Sequence, residues 1–333
     1  MKIPARVLEP PFNITRTSHV VLEARDLAAS RLFYTEVLGL VVTLESDDAL
    51  YLRGVEESCH HCLVLRRASG EVACQRLGLR VLTEADLDKA HREFARLGCE
   101  ARAVEVAHQG RTLHVTDPFG FRLEFCAHMP VEPRHIVQFQ SQRGGSALRI
   151  DHYQLLTPRL NEALTFYMGL GFWLSEYIGK DDEHIRAVFL QRKGNPHDIV
   201  FFSGDGPRLH HFAFTAAETQ HLFRACDIAG ELGFGRHVER GPGRHGPGHA
   251  MFVYFRDPDG HRVELFNTHY QIMDLENVPI RWDPDDPAVA YPWGLPAQRR
   301  WYEQATPMAG TPVSPVSPRP SPMTLERFLA ERA

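Results

Sequence analysis

Asp117-Pro118-Phe119-Gly120-Phe121-Arg122-Leu123-Glu124-Phe125 returns further along the chain as Asp257-Pro258-Asp259-Gly260-His261-Arg262-Val263-Glu264-Leu265. Each copy joins an Asp-Pro-x-Gly turn to a short strand in which a glutamate alternates with apolar neighbours. The repetition extends upstream. Ser18-His19-Val20-Val21-Leu22 is echoed by Asp151-His152-Tyr153-Gln154-Leu155, and Phe33-Tyr34-Thr35-Glu36-Val37-Leu38-Gly39-Leu40 by Phe166-Tyr167-Met168-Gly169-Leu170-Gly171-Phe172. Self-similarity at this period marks duplication of a folding unit. The halves run over 15–128 and 149–268.

A fainter repeat lies inside each half: a strand, a helix, then short strands divided by Gly, Asp or Asn. In the second half one unit runs from Arg149 to about Phe202. The next opens at Leu209-His210-His211-Phe212-Ala213-Phe214, continues through a helix over Glu218 to Leu232, and ends in strands at Met251–Phe255 and Val263–Phe266. Leu222, Cys226 and Ala229 share one face of that helix, which suits packing on a sheet. Four successive βαβββ units imply an α+β fold in two tandem domains, not a doubly wound parallel sheet. Residues 269–305 are rich in aromatics and are expected to wrap back over the second half. Residues 306–333 read as a Pro/Ser-rich extended linker and a short helix with Leu325, Phe328 and Leu329 on one face.

The bulk numbers fit this picture. A chain of 333 residues exceeds one ordinary core, and 43% apolar residues with a formal net charge of −5 describe a globular protein. Basic residues are scattered, so neither nucleic acid nor a membrane surface is an expected partner. The N-terminal residues lack an apolar signal segment and no apolar run could span a bilayer, which points to the cytoplasm. Most of the six cysteines stand singly. Cys59-His60-His61-Cys62 invites a zinc reading, but no second ligand pair follows and a loop between two strands is the simpler expectation.

The chemistry concentrates in the second half. His152 and His211 lie on the opening strands of its two units and Glu264 on its closing strand. Strand alternation puts Gln154 on the face of His152. Pairing outward from the Asp257–Gly260 turn brings Tyr254 opposite or one step from Glu264. Two histidines and a carboxylate with open positions form the ligand set of non-haem Fe(II) oxygenases, and Mn(II) accepts the same set. In the first half His19 matches His152 and Glu124 matches Glu264. Aligning Arg76-Leu77-Gly78-Leu79 with Arg208-Leu209-His210-His211 sets Leu79 against His211, leaving that half without a complete ligand set and with a structural role.

From about 15 to 305 the chain resembles the extradiol catechol dioxygenases of the vicinal oxygen chelate superfamily, in particular the homoprotocatechuate (3,4-dihydroxyphenylacetate) 2,3-dioxygenase branch. The resemblance rests on Arg149–His152, Arg192–Asp198, Gly206–His211, Glu239–Gly246 and Asp257–Glu264. It implies metal ligands at His152, His211 and Glu264, an acid/base beside O₂ at His197, and catechol contacts at Tyr254 and His245. Arg240 would hold the ring substituent, while Phe189 and Gln154 stand where family members carry Trp and Asn in the substrate pocket. Ala290 occupies the place of a second, carboxylate-binding arginine. The implied activity is cleavage of a catechol with both atoms of O₂ to a muconic semialdehyde, in a homo-oligomer, often a tetramer. Neutral or alkyl catechols are the alternative substrates. A non-catalytic, ligand-sequestering member of the superfamily is the alternative of another class, and the intact triad argues against it.

Overall fold

The computed structural model describes residues 3–332, apart from the side chain of Ala288. Four modules follow one another. The first is β1 (Ile14–Ala24), α1 (Leu27–Leu32) running into a π-helical turn over Phe33–Val37, β2 (Val41–Glu45), β3 (Ala49–Arg53) and β4 (Leu63–Arg67). The second is β5 (Cys74–Val81), α2 (Glu84–Arg96), β6 (Glu100–Val106), β7 (Gly110–Thr116) and β8 (Arg122–Cys126). The third is β9 (Arg149–Thr157), α3 (Leu160–Gly169), β10 (Trp173–Gly179), β11 (Ile185–Gln191) and β12 (Ile199–Ser203). The fourth is β13 (Arg208–Ala216), α4 (Thr219–Glu231), β14 (Val238–Arg244), β15 (Met251–Arg256) and β16 (Arg262–Asn267). The α+β class and the strand–helix–three-strand order are those read from the sequence.

In every module the first and last strands pair in parallel, and the two modules of a half join through their antiparallel first strands. The first half forms a sheet in the order β2-β3-β4-β1-β5-β8-β7-β6. The second runs β14-β15-β16-β13-β9-β12-β11-β10 and is extended by β17 (Ile280–Trp282). The first strands, central in each sheet, are where His152 and His211 sit.

The duplicated motifs pair across the halves. Tyr34 donates to Asp257 Oδ2 at 2.9 Å, and Tyr167 donates to Asp117 Oδ2 at 2.8 Å. The other carboxylate oxygen of each Asp accepts two backbone N–H groups of its own turn, at 2.8–3.0 Å. Each turn therefore anchors the helix of the opposite half, and Phe33 packs on Phe234 and Phe255 at 5.5 and 6.2 Å. One hydrophobic core runs through both halves.

After β16 the chain runs back along the second half. Tyr270 and Trp282 both donate to the buried Glu176 on β10, at 2.7 and 2.5 Å. Short helices α5 (Pro287–Ala290) and α6 (Arg299–Glu303) follow. The Pro/Ser-rich stretch is tied to the sheet at two points. β16 begins pairing with β13 only at Phe212, so Arg208 and Leu209 leave backbone groups open, and β18 (Thr306–Pro307) fills them. Farther along, Ser314 exchanges backbone bonds with Gly206 at 2.7 and 3.0 Å. The terminal helix α7 (Leu325–Ala330) is capped by Thr324 and anchored through the Leu325 N–H to the Ala297 carbonyl, 2.8 Å. No helix among the described residues is long and apolar enough to cross a membrane.

Candidate metal centre and active site

The sheet of the second half brings three buried side chains to one point. His211 Nε2 lies 3.1 Å from Glu264 Oε2, His152 Nε2 lies 3.3 Å from the same oxygen, and the two Nε2 atoms are 3.4 Å apart. Ligand atoms ~2.1 Å from one cation at octahedral to tetrahedral angles stand ~3.0–3.4 Å apart. The observed triangle has those dimensions, and it is the one such cluster among the described residues.

The outer nitrogens decide what the inner ones can do. His152 Nδ1 is 3.0 Å from the Asp151 carboxylate, an acceptor only, so this nitrogen carries the proton. His210 donates from Nε2 to the Trp301 carbonyl at 2.9 Å, which leaves its Nδ1 to accept from His211 Nδ1 at 2.8 Å. Both inner Nε2 atoms then present lone pairs, facing each other and a carboxylate with no proton between them. Such a set requires a cation. Burial lowers the basicity of His152, yet its bonds to Asp151 and Glu264 win and hold its pKa above the ordinary histidine value, so an added proton would meet the same demand. The residues fit a divalent metal, with outer partners that orient the ligands.

Around this point lies a cavity of about 110 Å³. It receives every other residue singled out from the sequence: His197, Tyr254, His245, Arg240, Phe189 and Gln154. The His197 ring stands 4.3 Å from that of His152 and its Nδ1 has no hydrogen bond. Burial, then the neighbouring His152 and His269, push its pKa well below the usual value. Tyr254 pairs with Glu264 across β15 and β16, the register read from the turn. His245 Nε2 lies 2.9 Å from the Tyr254 hydroxyl and 3.2 Å from Glu264 Oε1. Burial foremost, with Glu264 nearby, raises the Tyr254 pKa well above its ordinary value and keeps the phenol protonated. Arg240 donates to the Ala290 carbonyl at 2.7 Å, with its guanidinium 4.4 Å over Trp301 and 4.9 Å over Phe252.

Sequence reasoning missed four participants. Asp151 and His210 hold the rings of His152 and His211; the doublets Asp151-His152 and His210-His211 were the available signal. Trp301 and His269 line the cavity from the wrapping segment, where no spacing rule places them. The His269 ring lies 4.6 Å from His197. At Gly248, between them, φ is +69° and an added Cβ would come within 3.1 Å of His269 and 3.3 Å of His197.

The first half is corrected by one register. Gly78 pairs with His19 and Glu124 as Ala213 does with His152 and Glu264, so the counterpart of His211 is Arg76, not Leu79. The Arg76 guanidinium is 3.9 Å from Glu124, which also meets His19 Nε2, His114 Nε2 at 3.2 Å and Gln109 at 3.3 Å. Cys59-His60-His61-Cys62 is the loop between β3 and β4 and is buried. Its His61 bonds Gln109 at 3.0 Å and its His60 stacks on His108 at 4.1 Å.

Residues 16–125 and 149–265 match the Glyoxalase/Bleomycin resistance protein/Dioxygenase superfamily, and the chain belongs to it. Within that superfamily it is an extradiol, ring-cleaving catechol dioxygenase, and His152, His211 and Glu264 form a cluster that could hold a metal ion. It is 27% identical to a metapyrocatechase of Geobacillus stearothermophilus over 90% of this chain and 96% of the relative. It is also 27% identical to a manganese-dependent 2,3-dihydroxybiphenyl 1,2-dioxygenase of Geobacillus genomosp. 3, over 81% of this chain and 90% of the relative. Homoprotocatechuate 2,3-dioxygenase of Brevibacterium fuscum, solved with 3,4-dihydroxyphenylacetate, superposes with a TM-score of 0.87 at 36% identity, covering 92% of this chain and 96% of that one.

Proposed function

We propose that residues 149–268 form the catalytic domain and 15–128 its structural partner, with His152, His211 and Glu264 as the metal ligands. The convergence of three lone-pair acceptors, with both histidine tautomers fixed from outside, carries this reading. A bound Fe(II) or Mn(II) supplies Lewis acidity that favours loss of the catechol protons and an electronic path from the ring to O₂.

The chain's own residues do the rest. His197, kept neutral by its burial, accepts a proton as the catechol and O₂ react and returns it when the O–O bond breaks. Tyr254 donates its O–H to charge developing on a catechol oxygen. His245 ties Tyr254 and the second oxygen of Glu264 into one network. Phe189 and Gln154 shape the ring pocket, and Arg240 meets the ring substituent. The product is a muconic semialdehyde, and 3,4-dihydroxyphenylacetate is among the substrates, a reading supported by the Brevibacterium enzyme's likeness in fold.

Six free cysteines support a reducing cytoplasm as the site of action. Exposed Val131, Val137 and Phe139 in the connector and Met273, Leu275 and Val278 in the wrap support assembly with further copies, as a tetramer.

The test is oxygen uptake by protein reconstituted anaerobically with Fe(II) or Mn(II), over a panel of catechols. One O₂ per ring, with both atoms in the product, is expected. Stoichiometric catechol binding without oxygen uptake under either metal would make the protein a ligand carrier and end this proposal.

A further inference from the structure

One wall of the cavity has a chemistry of its own. Ile178, Phe189, Val200 and Val289 form one buried apolar cluster, with Phe202 packed against it, and all five line the cavity. They come from separate elements: β10, β11, β12 and the short helix α5. The pairing of Phe189 with Val200, and of Phe189 with Glu176, fixes the strand positions in one sheet. No carboxylate other than Glu264 lines this cavity among the described residues, and Arg240 is the one Arg or Lys that does.

Arg240 is poorly disposed to grip an anion. A two-pronged hold on a carboxylate needs two parallel N–H groups along one edge of the guanidinium, and both such edges include a terminal nitrogen bound in common. That shared nitrogen already gives one of its two N–H groups to the Ala290 carbonyl at 2.7 Å, which leaves at most one edge open. That bond sets a partial negative charge beside the nitrogen a carboxylate would seek. Trp301, Phe252 and Tyr254 lie 4.4, 4.9 and 5.9 Å from the guanidinium carbon, so its charge is partly satisfied by ring faces. It reads as a packed cation closing an apolar wall.

We propose that the substituent end of this site selects catechols bearing an uncharged alkyl or aryl group over those bearing a carboxylate, with Ile178, Val200, Phe202 and Val289 as the specificity-determining surface. This rests on catechol cleavage at His152, His211 and Glu264. The acid is turned over, but the contacts that discriminate are apolar. Each carbon added to the substituent moves from water onto this wall and raises kcat/KM about fourfold until the space is filled.

The experiment uses the metal-loaded full chain and five probes: catechol, 4-methylcatechol, 4-propylcatechol, 3,4-dihydroxyphenylacetate and the methyl ester of that acid. The ester keeps the size of the acid and removes its charge. The expected result is a rise along the alkyl series and an ester at least tenfold better than the acid in kcat/KM. Val200→Thr keeps the shape and adds a hydroxyl, so the propylcatechol-to-catechol ratio should fall several-fold. Arg240→Met should change the ester-to-acid ratio by less than threefold. An acid better than its ester, a flat alkyl series, or an Arg240→Met variant that selectively loses the acid tenfold or more overturns the proposal. Failure to cleave any of the five with either metal would instead overturn the catalytic reading, and the two failures are distinguishable.

Discussion

Asp151→Asn isolates the orientation of a metal ligand from the ligand itself. Asp151 is 2% exposed, and its carboxylate accepts from His152 Nδ1 at 3.0 Å and from the Asn195 amide at 2.8 and 2.9 Å, with Lys193 Nζ at 3.8 Å. An amide of the same shape has one acceptor oxygen for these donors. If its oxygen stays with Asn195, its NH₂ faces His152 Nδ1, and the imidazole must move its proton to Nε2, where the metal belongs. If its oxygen faces His152, a neutral bond replaces a charge-assisted one and Asn195 loses its acceptor. A hydrogen bond to a charged group contributes about 1.5–3 kcal/mol and a neutral one about 0.5–1.5 kcal/mol, so the loss is about 1–2 kcal/mol. That corresponds to a metal affinity weaker by roughly five- to thirtyfold, which overlaps the range for outer partners of metal-bound histidines. Anaerobic competition against a chelator of known affinity measures it for Fe(II) and for Mn(II). Thermal unfolding of the metal-free protein is the control, since the strand pairing is unchanged. An unchanged affinity would refute the tautomer argument. A weakened affinity matched by an equal loss of metal-free stability would make Asp151 a structural residue.

The remaining predictions follow the same geometry. His211→Ala or Glu264→Gln should abolish stoichiometric metal and oxygen uptake with native circular dichroism, whereas His19→Ala should retain both; metal analysis of the three variants decides which half is active. His197→Phe removes a proton carrier but no ligand, so metal and catechol should still bind while turnover falls by about 10²–10⁴-fold, the range for lost acid–base catalysis, and an unchanged pH–rate profile would sink the role. Glu239→Gln leaves buried Arg262 and half-buried Arg256 without their carboxylate, bonded at 2.6–3.1 Å, and should cost about 3–5 kcal/mol at neutral pH in denaturant melts. Although burial opposes it, the two arginines lower the Glu239 pKa below the ordinary value. The stability it confers is therefore complete above the unfolded-state value near ~4.3 and is lost as pH falls through the lower folded value, so wild type and variant should converge in acid.

The fold was legible because its signals are local and repeated. The Asp117 and Asp257 turns, the strand alternation after them and the Phe-Tyr phrases at 33–34 and 166–167 each specify a short element, and duplication multiplies the information. The clustering of His152, His211 and Glu264 was legible for a related reason: residues on central strands inherit fixed positions from the pairing. Tyr254 opposite Glu264 needed nothing but a turn and a count. What failed to show depends on contacts between distant segments. His269 and Trp301 reach the cavity through a wrap whose path is set by Glu176 and its partners Tyr270 and Trp282. The C-terminal stretch looked like a linker because its composition lacks strand periodicity, yet it pairs wherever the sheet leaves backbone groups open. The three-residue slip at Arg76 arose from aligning Arg with Arg, where the sheet aligns by pairing.

The same register makes the two halves comparable residue by residue. Backbone register places His19 and Glu124 in the first half as it places His152 and Glu264 in the second. The two differ in what surrounds the carboxylate. Around Glu124 stand Arg76, Gln109 and the rings of His114 and His19, and the two histidines hold its pKa low despite its burial. His114 occupies the position of Tyr254, paired across from the glutamate. Gly78 is required there, since an added Cβ would lie 2.2 Å from the His19 ring, whereas the paired position in the second half carries the methyl group of Ala213. The first half thus meets its buried charge with its own side chains and gains a rigid partner surface. The second exchanges the arginine for His211 and turns the outer nitrogens of both histidines toward fixed acceptors. Its carboxylate is left among lone pairs, an arrangement that costs stability until a cation arrives. Because the Tyr34–Asp257 and Tyr167–Asp117 bonds clasp the halves together, the self-satisfied half can hold the other in that unfavourable state.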